Sequence, residues 1–253
     1  KSSGQSFSYR AKIAEETELL EHCDEEFAKL SGSLGKVRKK TYDACVRLTA
    51  ARKNAAEEFC KKVESELKTL NIKNARFCAE FADYGEEVAE SAGENGADSV
   101  RLLFSANAGE PLKPLDKVIS GGEMSRLMLA IKTQMSGLNE ISTYIFDEID
   151  AGISGGTAKV VAEKFADISL HRQIIAVSHL AQIVSMADTN FLISKHETDD
   201  GKTLTDIEKL SGEKLRGELI RLIGGAAQSN AAAKLADELR SDALAYKTEH
   251  RSR

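Results

Sequence analysis

"VISGGEMSRLMLAIK", residues 118–132, is the stretch on which the reading of this chain turns. Gly121 and Gly122 open an amphipathic helix expected from about Glu123 to Met135. Glycines let a backbone approach a ligand closely, and a helix start aims free N–H groups outward. Ser120 adds a hydroxyl beside them. The helix dipole favours an anion at such a place by about 0.3–1 kcal/mol when exposed and up to about 2 kcal/mol when partly buried. A serine-capped glycine loop before an ordinary helix has the same wording, so the stretch needs company before it means a binding site.

Downstream, "TYIFDE" (143–148) reads as an apolar strand ending in two acids. At the carboxyl end of a strand Asp147 can hold Mg²⁺, directly or through water. Glu148, one residue on, can face an attacking water as general base. "QIIAVSH" (173–179) is a second such strand, and it closes on His179, where α/β sheets bind ligands. Taken singly, each has a bland reading: a solvated strand end, a structural histidine. Around them helices are expected at 156–168, 180–187, 213–223 and 229–247, with strands at "NFLIS" and "TLTDIEKL". The alternation describes an α/β body with a buried parallel core.

Upstream, "ARFCAEFAD" and "DSVRLLFSA" read as strands joined through "GEEVAESAGENGAD", and "NAGEPLKPLDKVISGG" as a loop. The first 70 or so positions are helical in pattern. Ile13, Leu20, Phe27 and Leu34 recur every seven residues, with Glu16, Thr17 and Asp24 weakening the second seam position. "SGSLG" (31–35) is expected to break the helix. From Val37 through Thr41, Cys45, Leu48, Ala51, Ala55, Phe59, Val63 and Leu67 to Leu70, apolar or small residues return in steps of three or four, as in a straight amphipathic helix. Residues 7–31 thus read as the root of an antiparallel arm and 36–70 as its continuation, an ordinary helical hairpin being the alternative.

The chain has 253 residues, 42% hydrophobic and 30% charged, with a net charge of −5, so no global basic field draws it to nucleic acid. Four cysteines without a CxxC pair fit neither a zinc site nor a disulfide framework. The opening "KSSGQSFSYR" is polar, with no apolar run of signal-peptide type, and no stretch is long enough to span a bilayer. An intracellular protein without membrane contact is expected.

In order, then, the chain offers a Ser-Gly-Gly helix start, a strand ending Asp-Glu, and a strand ending in His. That set resembles the C-terminal half of an ABC-type ATPase head: signature, Walker B with its glutamate, D-loop and switch histidine. The preceding helical arm resembles the SMC group. In detail, "LLFSANAGEPLKPLDKVISGGEMSRLMLAIK", "YIFDEIDAGISGGTAKVV", "AVSHLAQIVSMAD" and the upstream "LTAARKNAAEEFCKKVESELKTLNI" are similar to the RecN family of bacterial DNA-repair ATPases. The resemblance covers roughly residues 42–245.

It implies an α/β fold: the C-terminal lobe of an ABC-type P-loop ATPase head (71–253), preceded by the long helices of a coiled-coil arm (1–70). It implies ATP and Mg²⁺ as cofactors. Ser120, Gly121, Gly122 and Glu123 would contact ATP held by a second head, Asp147 the Mg²⁺ shell, and Glu148 the water. Ala151, Gly152, Ile153 and Ser154 would form the D-loop at the dimer interface, with His179 as the switch. Implied partners are a second head in a homodimer, DNA, and the N-terminal half of the same protein, in the bacterial cytosol and associated with the nucleoid.

That N-terminal half is needed because no G-x-x-x-x-G-K-[ST] loop is present. The single Gly-Lys-Thr, Gly201-Lys202-Thr203, has His196 where the first glycine should stand, and "DDGKT" reads as a hairpin turn. "GSLGK" (32–36) has its glycines too close together. This chain alone is therefore expected to be inactive. "KVRKK" (36–40), Arg47, Arg52, Lys53, Lys61 and Lys62 make the long helix basic in places, but Glu57, Glu58, Glu64 and Glu66 balance it. Two other readings stay open. One is an SMC chromosome-structure ATPase, against which the "DAGIS" D-loop speaks. The other is a non-hydrolysing structural adaptor that dimerises, against which intact Asp147, Glu148 and His179 speak.

Overall fold

The structure is a computed structural model that describes residues 2–117, 121–135, 141–197, 202–224 and 230–251. Helix α1 (Ser2–Thr69) leads into strands β1 (Arg76–Phe81), β2 (Val100–Ser105) and β3 (Lys113–Pro114). Then follow α2 (Gly121–Gln134), β4 (Thr143–Phe146), α3 (Gly155–Ser169), β5 (Gln173–Ala176) and α4 (Ala181–Met186). Strands β6 (Asn190–Glu197) and β7 (Thr203–Leu210) precede helices α5 (Gly212–Leu222) and α6 (Asn230–Arg251).

The expected break at 31–35 is absent: α1 runs through Gly32 and Gly35 without interruption. Glycine weakens an exposed helix by about 0.5–1 kcal/mol relative to alanine, and 68 continuous residues without a proline outweigh two such losses. The helix stops where the sequence lets it. Asn71 adopts φ 64°, and the Ile72 N–H donates to Leu67 O at 2.9 Å, as in a Schellman cap. Buried Ile72 supplies the apolar contact of that cap.

Two compact units divide the chain: residues 1–57 with 79–101, and residues 58–78 with 102–253. In the first, Tyr9, Ile13, Leu20, Phe27, Leu30, Leu34 and Val37 are exposed along α1. Further along, Thr49 Oγ1 donates to Asp98 Oδ1 at 2.5 Å and Arg52 pairs with Asp98 Oδ2 at 2.7 Å. Lys53 lies 5.7 Å from the centre of the Phe81 ring, and Arg38 pairs with Glu90. Several cations of the basic stretch are thus engaged by the unit's own groups. The segment read as a turn region contains a 3₁₀ turn (Glu86–Glu90) and a Gly93–Gly96 bridge.

The second unit holds the α/β lobe. Val63, Leu67, Leu70, Leu127, Leu129, Ile149 and Val161 are fully buried, with Phe77 and Phe104 nearly so. Strands β4 and β5 pair in parallel, Phe146 opposite Ala176. The pair is not buried on both faces, as the sequence reading had it. Tyr144 and Phe146 face the core, whereas Ile145 is 72% exposed and Ile175 46%. Alternation along a strand produces this directly, since only one face is covered by helices of this chain. The loop expected before α2 contains β3, whose Pro114 sits opposite Leu103 on β2.

Strands β6 and β7 pair antiparallel, Glu197 opposite Thr203, which is the hairpin expected around "DDGKT"; residues 198–201 lie outside the described residues. Ala181, Leu210, Leu215, Leu219, Ile220, Ala232 and Ala236 form a core between α4, β7, α5 and α6. Helix α6 also ties down the end of α4. Arg240 donates to Ser185 O at 2.7 Å, and the buried Lys247 ammonium donates to Met186 O at 2.9 Å. All four cysteines are free thiols. Among the described residues no helix is long and apolar enough to cross a membrane.

Candidate functional site

Strand β4 delivers two exposed acids at its carboxyl end. The Glu148 N–H donates to Asp147 Oδ1 at 2.9 Å, and Glu148 itself adopts φ 55°. A left-handed backbone on a residue other than glycine, asparagine or aspartate costs about 1–3 kcal/mol and persists where the surroundings over-determine it. Here they do: Ile149 is fully buried, Asp150 is buried, and the Ala151 N–H returns to Glu148 O at 3.1 Å. The turn is pinned from both sides, leaving the Glu148 carboxylate outside the core and open to water.

The start of α2 is docked on this same turn. Ser125 Oγ donates to Asp147 O at 2.6 Å, and Arg126 Nη1 donates to Ala151 O at 2.7 Å. Burial pulls the Arg126 guanidinium below the ordinary arginine value, and the charge of Glu123 works the other way. Its charge is retained, since arginine does not deprotonate in proteins. A side chain at Gly121 would overlap Glu148 Oε2, and one at Gly122 would stand 2.9 Å from Ala151 Cβ and 3.0 Å from Ala151 O. The glycines, expected to let a ligand come close, also let the chain's own Glu148 and Ala151 come close.

After Asp150 the chain turns outward. Ala151, Gly152 and Ser154 are exposed, Ile153 is half-buried, and Gly152 takes φ 72°. Ser154 stands at the N-terminus of α3, its carbonyl accepting from the Ala158 N–H at 2.9 Å. His179 follows β5, where the Val177 N–H still bonds to Phe146 O. Its side chain is 74% exposed, and its Nδ1 lies 3.0 Å from Asp150 Oδ2.

Gly121, Gly122, Asp147, Glu148, Ala151 and His179 are therefore gathered on the lobe around one turn. Glu123 is half-buried on the first turn of α2. Ser120 lies outside the described residues. Three contacts were not legible beforehand: Ser125 and Arg126 on α2, and the Asp150 carboxylate. The signal for the first two was their spacing one helical turn after Gly121 and Gly122, which returns them to the same face.

A glycine-initiated helix, a strand ending Asp-Glu and a parallel neighbour ending in His, converging on one α/β lobe, define a fold class: the head lobe of ABC type. Within it the chain is homologous to the RecN proteins. It is 37% identical over 250 residues to the DNA repair protein RecN of Bacillus subtilis, covering 95% of this chain and 43% of that protein. With RecN of Treponema pallidum it shares 36% over 236 residues, 93% of this chain and 41% of that protein. The chain thus spans about two fifths of the length of the curated relatives it matches. No family model matches it. Among solved structures, the Smc head domain with a coiled coil and joint from Pyrococcus yayanosii aligns with 72% of this chain and 29% of that chain, at TM-score 0.44 and 21% identity.

Proposed function

We propose that this chain is the C-terminal part of an SMC-like ATPase head of RecN type, hydrolysing ATP between two dimerised heads and acting on DNA in double-strand break repair. Residues 1–70 serve as arm root and connecting helix, and 71–253 as the head part. The observation that carries the reading is the convergence of Glu148, Asp147 and His179 on one turn, with the glycine start of α2 docked against it. The N-terminal half of the same protein supplies the phosphate loop that is missing here. The DNA-repair assignment rests on the relatives named DNA repair protein RecN, and a bacterial cytosolic, nucleoid-associated location goes with it.

The residues fit a Mg²⁺–nucleotide in the limited way one lobe can. Among the described residues no three acids, histidines or cysteines cluster as a complete metal site. Mg²⁺ at a phosphate site takes only one or two carboxylates and fills the rest with waters and phosphate oxygens, and exposed Asp147 is one such carboxylate. The ion, when bound with ATP, neutralises charge developing on the phosphates. Glu148 orients the water and takes its proton, and Ser120, Gly121 and Gly122 offer donors to a nucleotide held by the other head. Joining this chain to its N-terminal half and measuring ATP turnover with and without Glu148→Gln tests the reading. Loss of a general base costs about 10²–10⁴ in rate.

A further inference from the structure

Asp150 is a buried carboxylate that the residues above leave without a task. One of its oxygens, Oδ2, receives two hydrogen bonds, from Ser178 Oγ at 2.6 Å and the His179 N–H at 2.8 Å, and the Nδ1 of the His179 ring stands 3.0 Å from it. Ser178 Oγ in turn accepts from the Leu180 N–H at 3.1 Å, at the start of α4. A carboxylate taken out of water costs several kcal/mol unless donors meet it, and charge-assisted bonds are the strong ones. The whole loop 178–180 is therefore gathered on the residue that begins the exposed turn 151–154.

The ring contact has a chemical consequence. A carboxylate oxygen offers only lone pairs, so the ring nitrogen standing 3.0 Å from it is the one favoured to carry the hydrogen. In the neutral ring the lone pair is then on Nε2, across the ring. Of the two contacts open to His179, a γ-phosphate oxygen needs a donor, whereas an attacking water offers one.

We propose that Asp150 is a positioning residue that holds His179 as the Nδ1–H tautomer, presents Nε2 as an acceptor for water, and ties the histidine mechanically to the turn 151–154. The catalytic consequence rests on the ATPase reading proposed above; the tautomer is a property of this chain by itself.

Imidazole ¹⁵N spectra of this chain at pH 8 test the first part, with His179→Ala identifying the signal among five histidines. The expected result is a protonated Nδ1 and an unprotonated Nε2, a preference lost in Asp150→Ala and kept in Ser178→Ala. A wild-type ring protonated at Nε2 overturns the proposal, whether or not Asp150→Ala folds. In the complete protein, Asp150→Ala and His179→Ala are expected to be non-additive in kcat, the double variant within about twofold of His179→Ala alone. Additive losses overturn the positioning role. A complete wild-type protein without ATP turnover would refute the ATPase reading and leave the tautomer result standing.

Discussion

Gly121 and Glu148 share one space: a β-carbon on the first would overlap the carboxylate of the second. Gly122 stands in a different kind of contact, against the Ala151 methyl and backbone carbonyl. The two glycines should respond differently to alanine. At Gly121 the obstacle is the far end of a flexible side chain, which can swing away. Gly121→Ala is therefore expected to change stability by under about 1 kcal/mol while displacing Glu148. At Gly122 backbone must yield, at a cost of about 1–3 kcal/mol. Urea denaturation of both variants separates the two; equal losses would contradict the docking of α2 described here.

The left-handed turn at Glu148 is a second point of stored strain. Asparagine tolerates that conformation better. Glu148→Asn is expected to stabilise the fold by about 0.5–1 kcal/mol, within the range set by such strain, while abolishing turnover of the complete head. A loss of stability above about 1 kcal/mol would show that the glutamate side chain itself holds the turn.

Much of this lobe was legible in the sequence, for identifiable reasons. Strand-like runs bounded by glycine and asparagine marked β1 and β2, and helical spacing marked α2, α3, α5 and α6. The order glycine start, Asp-Glu, His marked the site. What escaped was of another kind. Glycine at 32 and 35 signals a break only if something else bends the chain, and a β-carbon added at either would meet nothing within 4 Å. The one-sided burial of β4 and β5 depends on how many helices cover them, which a run such as "TYIF" does not encode. Asp150 was read only as the first residue of "DAGIS", because its donors lie 28 and 29 residues away.

The open surroundings of Gly32 and Gly35 give a direct check on α1. Each glycine-to-alanine change should raise helix stability by about 0.5–1 kcal/mol, as in any exposed helix interior. Circular dichroism melting of the double variant reads it. An elbow at 31–35 would instead make either substitution neutral or destabilising.

Asp98, with its side chain 2% exposed, ties the 82–99 segment to α1. Burial pushes its carboxyl up, but hydrogen bonds from Thr49 and Arg52, and the charges of Arg52 and Lys53, more than offset this and leave it below the ordinary aspartate value. A depressed folded value means the contribution is present above about pH 4, the unfolded value, and is lost as pH falls through the folded one. Asp98→Asn is expected to cost about 1–3 kcal/mol at pH 7. That gap from wild type should narrow steadily below pH 4. A gap independent of pH would mean that the charge of Asp98 contributes nothing.

On the proposed function, this chain carries the glutamate of an ATP site whose phosphate loop lies elsewhere in the same protein. ATP turnover by this chain alone, then together with its N-terminal half, then with Glu148→Gln in the pair, tests it most directly. The expected result is no turnover alone, turnover on joining, and a loss of about 10²–10⁴ with the variant. Hydrolysis by this chain alone that depends on Glu148, or a joined wild-type protein that the variant leaves within about threefold, would contradict it.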